Sequence, residues 1–99
     1  MGKYYTEEEY NKLHKYLAKK LNVSESVVGV IRGLYFDKQN ANSDITKMIT
    51  QLEILNKKRP LRLFYKQAID FLKNASEKDL LLMLQPFSNE TLGNVSDAL

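Results

Sequence analysis

The sequence predicts an all-α fold, a compact antiparallel bundle of five to six short helices. Three observations carry this reading. Apolar residues recur at steps of three and four along most of the chain, which is the spacing of an amphipathic helix. Ser, Thr or Asp stands just ahead of most of these stripes, where its side chain can accept an orphan backbone N–H. Only four glycines and two prolines occur in 99 residues, too few turn formers for a barrel or sandwich of many strands.

The first stripe is Tyr10, Leu13, Leu17 and Leu21, with Ala18 beside it. Thr6 and Glu9 ahead of it form a Thr-x-x-Glu capping box, so a helix is expected over residues 6–22. Lys12, Lys15, Lys19 and Lys20 occupy its remaining faces. Asn22 can close this helix in a left-handed conformation, and Ser24 or Ser26 can cap the next.

The second segment, Val27 to Phe36, is apolar at Val27, Val28, Val30, Ile31, Leu34, Tyr35 and Phe36. Its β-branched residues would suit a strand. Its length favours a helix, as do Gly29 and Gly33, four apart, where a neighbouring helix could come close. A helix apolar nearly all round is either central to the core or exposes part of its apolar surface. Both readings stay open for this segment.

Asp37 to Asn42 is a polar connector with room for one turn of helix. Ser43 and Asp44 then cap a stripe of Ile45, Met48, Ile49, Leu52 and Leu55, a helix over 44–57. Lys57, Lys58 and Arg59 follow, at the helix end whose dipole favours cations. Pro60 suits the first position of the next helix, 60–73, because its missing N–H costs nothing there. Leu61, Phe64, Tyr65, Ala68 and Leu72 mark the buried face of that helix. Ser76 and Asp79 open the next, which runs through five consecutive apolar residues, Leu80 to Leu84, and stops before Pro86. Residues 88–99 carry Leu92, Val95 and Leu99 around Gly93 and read as a weakly structured tail or a short last helix. The whole chain, 1–99, is expected to be one domain with its core within 6–87. Leu17, Ile31, Ile49, Leu52, Phe64, Ala68 and Leu81 are its expected core.

A domain of this size buries roughly 60 to 70% of its unfolded surface, which leaves little room for a deep catalytic cleft as well. The 15 Lys and Arg against 12 Asp and Glu give a net charge of +3, which permits an acidic partner, nucleic acid or membrane surface without demanding one. The absence of cysteine rules out disulfides, thiolate metal sites and thiol nucleophiles, and it fits a reducing compartment. The N-terminal residues lack an apolar signal core and no run is long enough to span a bilayer. A cytoplasmic location is the expectation.

Residues able to do chemistry are sparse. His14 is the single histidine, on the shoulder of the first stripe, where a boundary role is commoner than catalysis. There is no phosphate-binding glycine loop and no metal-ligand spacing, and acid pairs such as Glu7–Glu8 have no polar cleft to sit in. A non-enzymatic protein with no cofactor and no metal is expected.

Residues 17–31 resemble a helix-turn-helix, with Ala18 small, a turn at Asn22–Val23, and Val28 and Ile31 apolar. Base readout needs Arg, Asn, Gln or Lys pointing outward. The outward positions would be Ser24, Glu25, Ser26, Gly29, Val30 and Gly33, which leaves Arg32 alone to contact DNA. Protein binding is therefore the first expectation and DNA binding the alternative. The expected contact face is apolar, at Val30, Leu34 and Phe36, which lie off the Val27–Val28–Ile31–Tyr35 stripe. Its expected rim is basic, at Lys57, Lys58, Arg59, Arg62 and Lys66, and would steer an acidic partner.

Taken end to end, residues 8–87 resemble the death-fold superfamily of signalling adaptors, the death-effector-like branch above all. The run Leu17-Ala18-Lys19-Lys20-Leu21-Asn22-Val23-Ser24-Glu25-Ser26 is similar to a stretch found in death domains. Glu77-Lys78-Asp79-Leu80-Leu81 keeps the Asp-Leu-Leu of the Arg-x-Asp-Leu-Leu with which the last death-effector helix begins. It replaces the Arg, which puts the surface charge triad of that family in doubt. The resemblance implies six helices, the third reduced to a turn near 38–42, and a non-enzymatic adaptor assembling by homotypic or partner contacts through its second helix. A different resemblance keeps the helices: small basic bundles also occur as bacteriocin immunity proteins and as phage or plasmid accessory proteins. Pro60-Leu61-Arg62-Leu63 is similar to a helix start in the immunity proteins, and the Lys- and Asn-rich composition suits a low-GC genome.

Overall fold

The computed structural model describes residues 6–36 and 44–86. Among the described residues it is all helical: α1 Glu7–Leu21, α2 Glu25–Tyr35, α3 Ile45–Lys58, α4 Leu63–Asn74 and α5 Glu77–Met83. The suggested turn of helix at 38–42 and the tail at 88–99 lie outside the described residues.

The caps form as the residue types dictate. Thr6 Oγ1 accepts from the Glu9 N–H at 3.1 Å while Glu9 Oε1 accepts from the Thr6 N–H at 2.9 Å, a complete capping box. Asn22 closes α1 at φ 55°, ψ 48°, the left-handed conformation that asparagine tolerates better than most residues. Ser24 caps α2 through the Val27 N–H, Asp44 caps α3 through the Thr46 and Lys47 N–H groups, and Ser76 caps α5 through the Asp79 N–H.

The helix expected to begin at Pro60 instead begins at Leu63. The Arg62 N–H donates to the Arg59 carbonyl at 3.1 Å, so residues 59–62 make a β-turn. Pro60 takes the second position of that turn, for which its fixed φ is equally well suited. Pro60 therefore marks a turn, and the helix expected over 60–73 is corrected to Leu63–Asn74.

α2 is the hub, packed against α1, α3 and α4, while α3 and α4 pair most extensively with one another and α5 lies on α1. Val27, Val28 and Ile31 of α2 are fully buried together with Leu13, Leu17, Met48, Leu52, Ala68 and Met83. Burying each Val, Leu, Ile or Met side chain of this set is worth roughly 1.5 to 3 kcal/mol against exposure.

Of the expected core, Leu17, Ile31, Leu52 and Ala68 are fully buried and Ile49 and Phe64 half-buried, but Leu81 is 67% exposed. The run Leu80–Leu84 is apolar on every side, so periodicity could not choose its inward face, and packing selects Met83. The close approach expected at Gly29 and Gly33 is absent too. A Cβ built on either would have nothing within 4 Å among the described residues.

Candidate docking site

The second-helix face is the first place to look. Val30 and Leu34 are half-buried and pack against the core cluster, so of the three expected contact residues only Phe36, at 46%, is exposed. Phe36 is already engaged from within: its ring lies 4.9 Å from the Arg32 guanidinium and edge-on to Tyr35 at 5.0 Å.

Arg32, read from the sequence as an outward group, is buried at 6% exposure. One guanidinium nitrogen donates to the Met83 and Gln85 carbonyls, each at 2.7 Å. Carbonyls at a helix C-terminus lack intrahelical partners, and the dipole there attracts a cation. Arg32 thus fastens the end of α5 to α2. Burial pushes its pKa down to about 10, with an opposing pull from Tyr10, and it remains charged at neutral pH. The side chain that DNA readout would need is therefore committed inside the fold. Of the other positions on that helix, Ser24, Glu25, Ser26 and Gly33 are the exposed ones, and none is a bidentate reader of bases.

His14 is half-buried. Burial lowers its pKa, the neighbouring positive charge of Arg32 lowers it further, and Glu25 opposes both. No group of three or more His, Asp or Glu among the described residues comes together to hold a metal ion. A depression lined by Glu7, Glu8, Asn11, Lys12 and Lys15 follows the outer side of a single helix, and no second element brings chemistry to it.

The basic residues are different. Lys57, Lys58, Arg59, Arg62 and Lys66 are all exposed and all sit at the end of the α3–α4 hairpin. From Ile54 to Ile69 there are five cations and no Asp or Glu. Three of the four exposed large aliphatics among the described residues fall in the same segment, Leu61 at 94%, Leu63 at 65% and Ile54 at 50%, while the fourth, Leu81, lies on α5. Ile54, Lys57 and Lys58 share a face of α3 by their spacing of three and four, as do Leu63 and Lys66 on α4. The sequence identified the cations and missed these leucines, because Leu61 was assigned to the buried face of a helix that starts two residues after it.

One local rule is broken here as well. α1, α2, α3 and α5 each have a side-chain N-cap, whereas the N-cap residue of α4, Arg62, makes no capping hydrogen bond and the first turn of α4 holds no acid. Lys57 and Lys58 suit the negative end of the α3 dipole, but Arg62 and Lys66 lie at the positive end of α4, where cations are disfavoured. Breaches of local consistency concentrate where a surface serves function. No family model matches the chain, and no curated protein or solved structure compared with it does either.

Proposed function

We propose that the protein is a non-catalytic docking module that associates with a larger assembly through the basic, aliphatic corner between α3 and α4. The observation carrying this reading is Leu61, 94% exposed within a segment of five cations and no acid. A leucine held almost wholly in water is ordinary when isolated. Here it shares one segment with exposed Leu63 and Ile54 and with five exposed cations, which would guide an anionic counterpart and raise the encounter rate. The surface that receives it must carry negative charge and offer an apolar recess or layer. The adaptor role suggested by the death-fold resemblance agrees with a protein that works by association, although the contact face supported here is this corner and not the second helix.

Density-gradient sedimentation of a gently prepared whole lysate, membranes included, tests the reading. Wild type is expected to travel with material far larger than its own 11.5 kDa. Leu61→Ser/Leu63→Ser and Lys57→Glu/Lys58→Glu, both altered only at exposed sites, should remain folded and sediment as free protein. If both folded variants sediment with the wild type, the corner is not the docking surface.

A further inference from the structure

From the chemistry of this corner we infer that its counterpart is the surface of an anionic lipid bilayer, on which the protein sits peripherally. The inference rests on the docking reading above and names the partner. Three observations favour a bilayer over an acidic protein. The exposed apolar side chains are aliphatic, Leu61, Leu63 and Ile54; protein interfaces concentrate their energy in Trp, Tyr and Arg, and leucine is under-represented among those anchors. Lysine, depleted in protein interfaces, supplies Lys57, Lys58 and Lys66 of the five cations. A hairpin end with Leu61 94% exposed projects outward, so a protein would need a matching pocket, whereas a bilayer deforms to admit it.

The arrangement suits a membrane interface, where aliphatic groups enter the acyl boundary and Lys and Arg stems reach back to the headgroups. No helix among the described residues is long and apolar enough to cross a membrane, and contact at the interface does not require one. Each cation near an anionic leaflet strengthens partition by about fivefold at moderate ionic strength. Two leucines alone would give weak, reversible adhesion; together with five cations they supply the pair of signals that peripheral attachment needs.

The chain contains no tryptophan, so a single introduced indole reports its surroundings without background. The full chain carrying Leu61→Trp is mixed with vesicles of phosphatidylglycerol and phosphatidylcholine in equal parts, and separately with phosphatidylcholine alone. Asn11→Trp, at an exposed site on α1, serves as comparison. The expected result is a shift of Leu61→Trp emission to shorter wavelength with the anionic vesicles, reversed by high salt, and no shift for Asn11→Trp. Adding Lys57→Ala/Lys58→Ala should weaken partition about 25-fold.

An unchanged Leu61→Trp spectrum with anionic vesicles overturns the bilayer assignment, as does equal binding to phosphatidylcholine alone. Sedimentation of wild type in lysate cleared of membranes separates the two levels of the argument. Large complexes persisting there, with no response to vesicles, would leave docking in place and make its partner an acidic protein. Loss of every large complex in both lysates would remove the docking reading itself.

Discussion

Arg32 shows how one side chain can join two distant parts of the chain. Its guanidinium satisfies the Met83 and Gln85 carbonyls from 51 and 53 positions away, and among the described residues no buried side-chain polar atom lacks a partner. Replacing it by methionine would keep much of the volume but leave those carbonyls without their donor, at a cost of about 1–3 kcal/mol. Urea unfolding followed by circular dichroism would read this, and Arg32→Lys should recover only part of the loss, since an ammonium can donate to both carbonyls but is more strongly hydrated than a guanidinium and costs more to bury.

His14 gives a second expectation at this scale. The folded protein holds it below its ordinary value of 6.5, so the unfolded chain binds the proton more readily. Its contribution is neutral well above that value, and stability declines as the pH falls through it. Between about pH 7.5 and pH 5 the melting temperature of wild type should drop further than that of His14→Gln; an equal drop would assign the effect to other groups.

At the scale of the element, the helix starts and stops were largely legible, because caps are local chemistry. Thr6 with Glu9, Ser24, Asp44 and Ser76 each accept the N–H that their position suggests. What could not be read was the inward side of short or uniformly apolar helices. α5 has seven residues, under two turns, so any of its leucines fits a stripe and tertiary contact alone decides. Leu81→Ala should therefore change stability by less than about 0.5 kcal/mol, whereas Leu52→Ala, at a fully buried site, should cost about 2–5 kcal/mol.

Gly29 and Gly33 lie within α2, and among the described residues nothing occupies the space where a side chain would go. Alanine at either should raise stability by roughly 0.5–1 kcal/mol; a loss at either site would mean that the position meets something the helix contacts do not contain. α4 offers the sharpest contrast between stability and function. Arg62→Asp would supply the missing N-cap and stabilise the protein by about 0.5–2 kcal/mol, while removing one of the docking cations. A thermal melt paired with the sedimentation assay should show the variant more stable and less associated.

For the whole molecule, the class of fold was legible because periodicity, capping and composition all pointed to helices. The placement of the apolar surface was not, because it depends on which helix becomes the hub. α2 has more apolar residues than one face can bury against a single neighbour, but it packs against three helices. Val30 and Leu34 are drawn toward the core by that arrangement, and three of the four large exposed aliphatics, Ile54, Leu61 and Leu63, appear instead at the α3–α4 corner, in one segment with the five cations. The central claim is that this corner is where the protein meets its partner. Photo-crosslinking from a diazirine amino acid at position 61, compared in living cells with the same group at position 36, tests it most directly. Adducts should form from position 61 and vanish when Lys57→Glu/Lys58→Glu is added, with little or no product from position 36. Adducts from position 36 alone, or a yield at 61 indifferent to those charges, would contradict the claim and return the interface to the second helix or elsewhere.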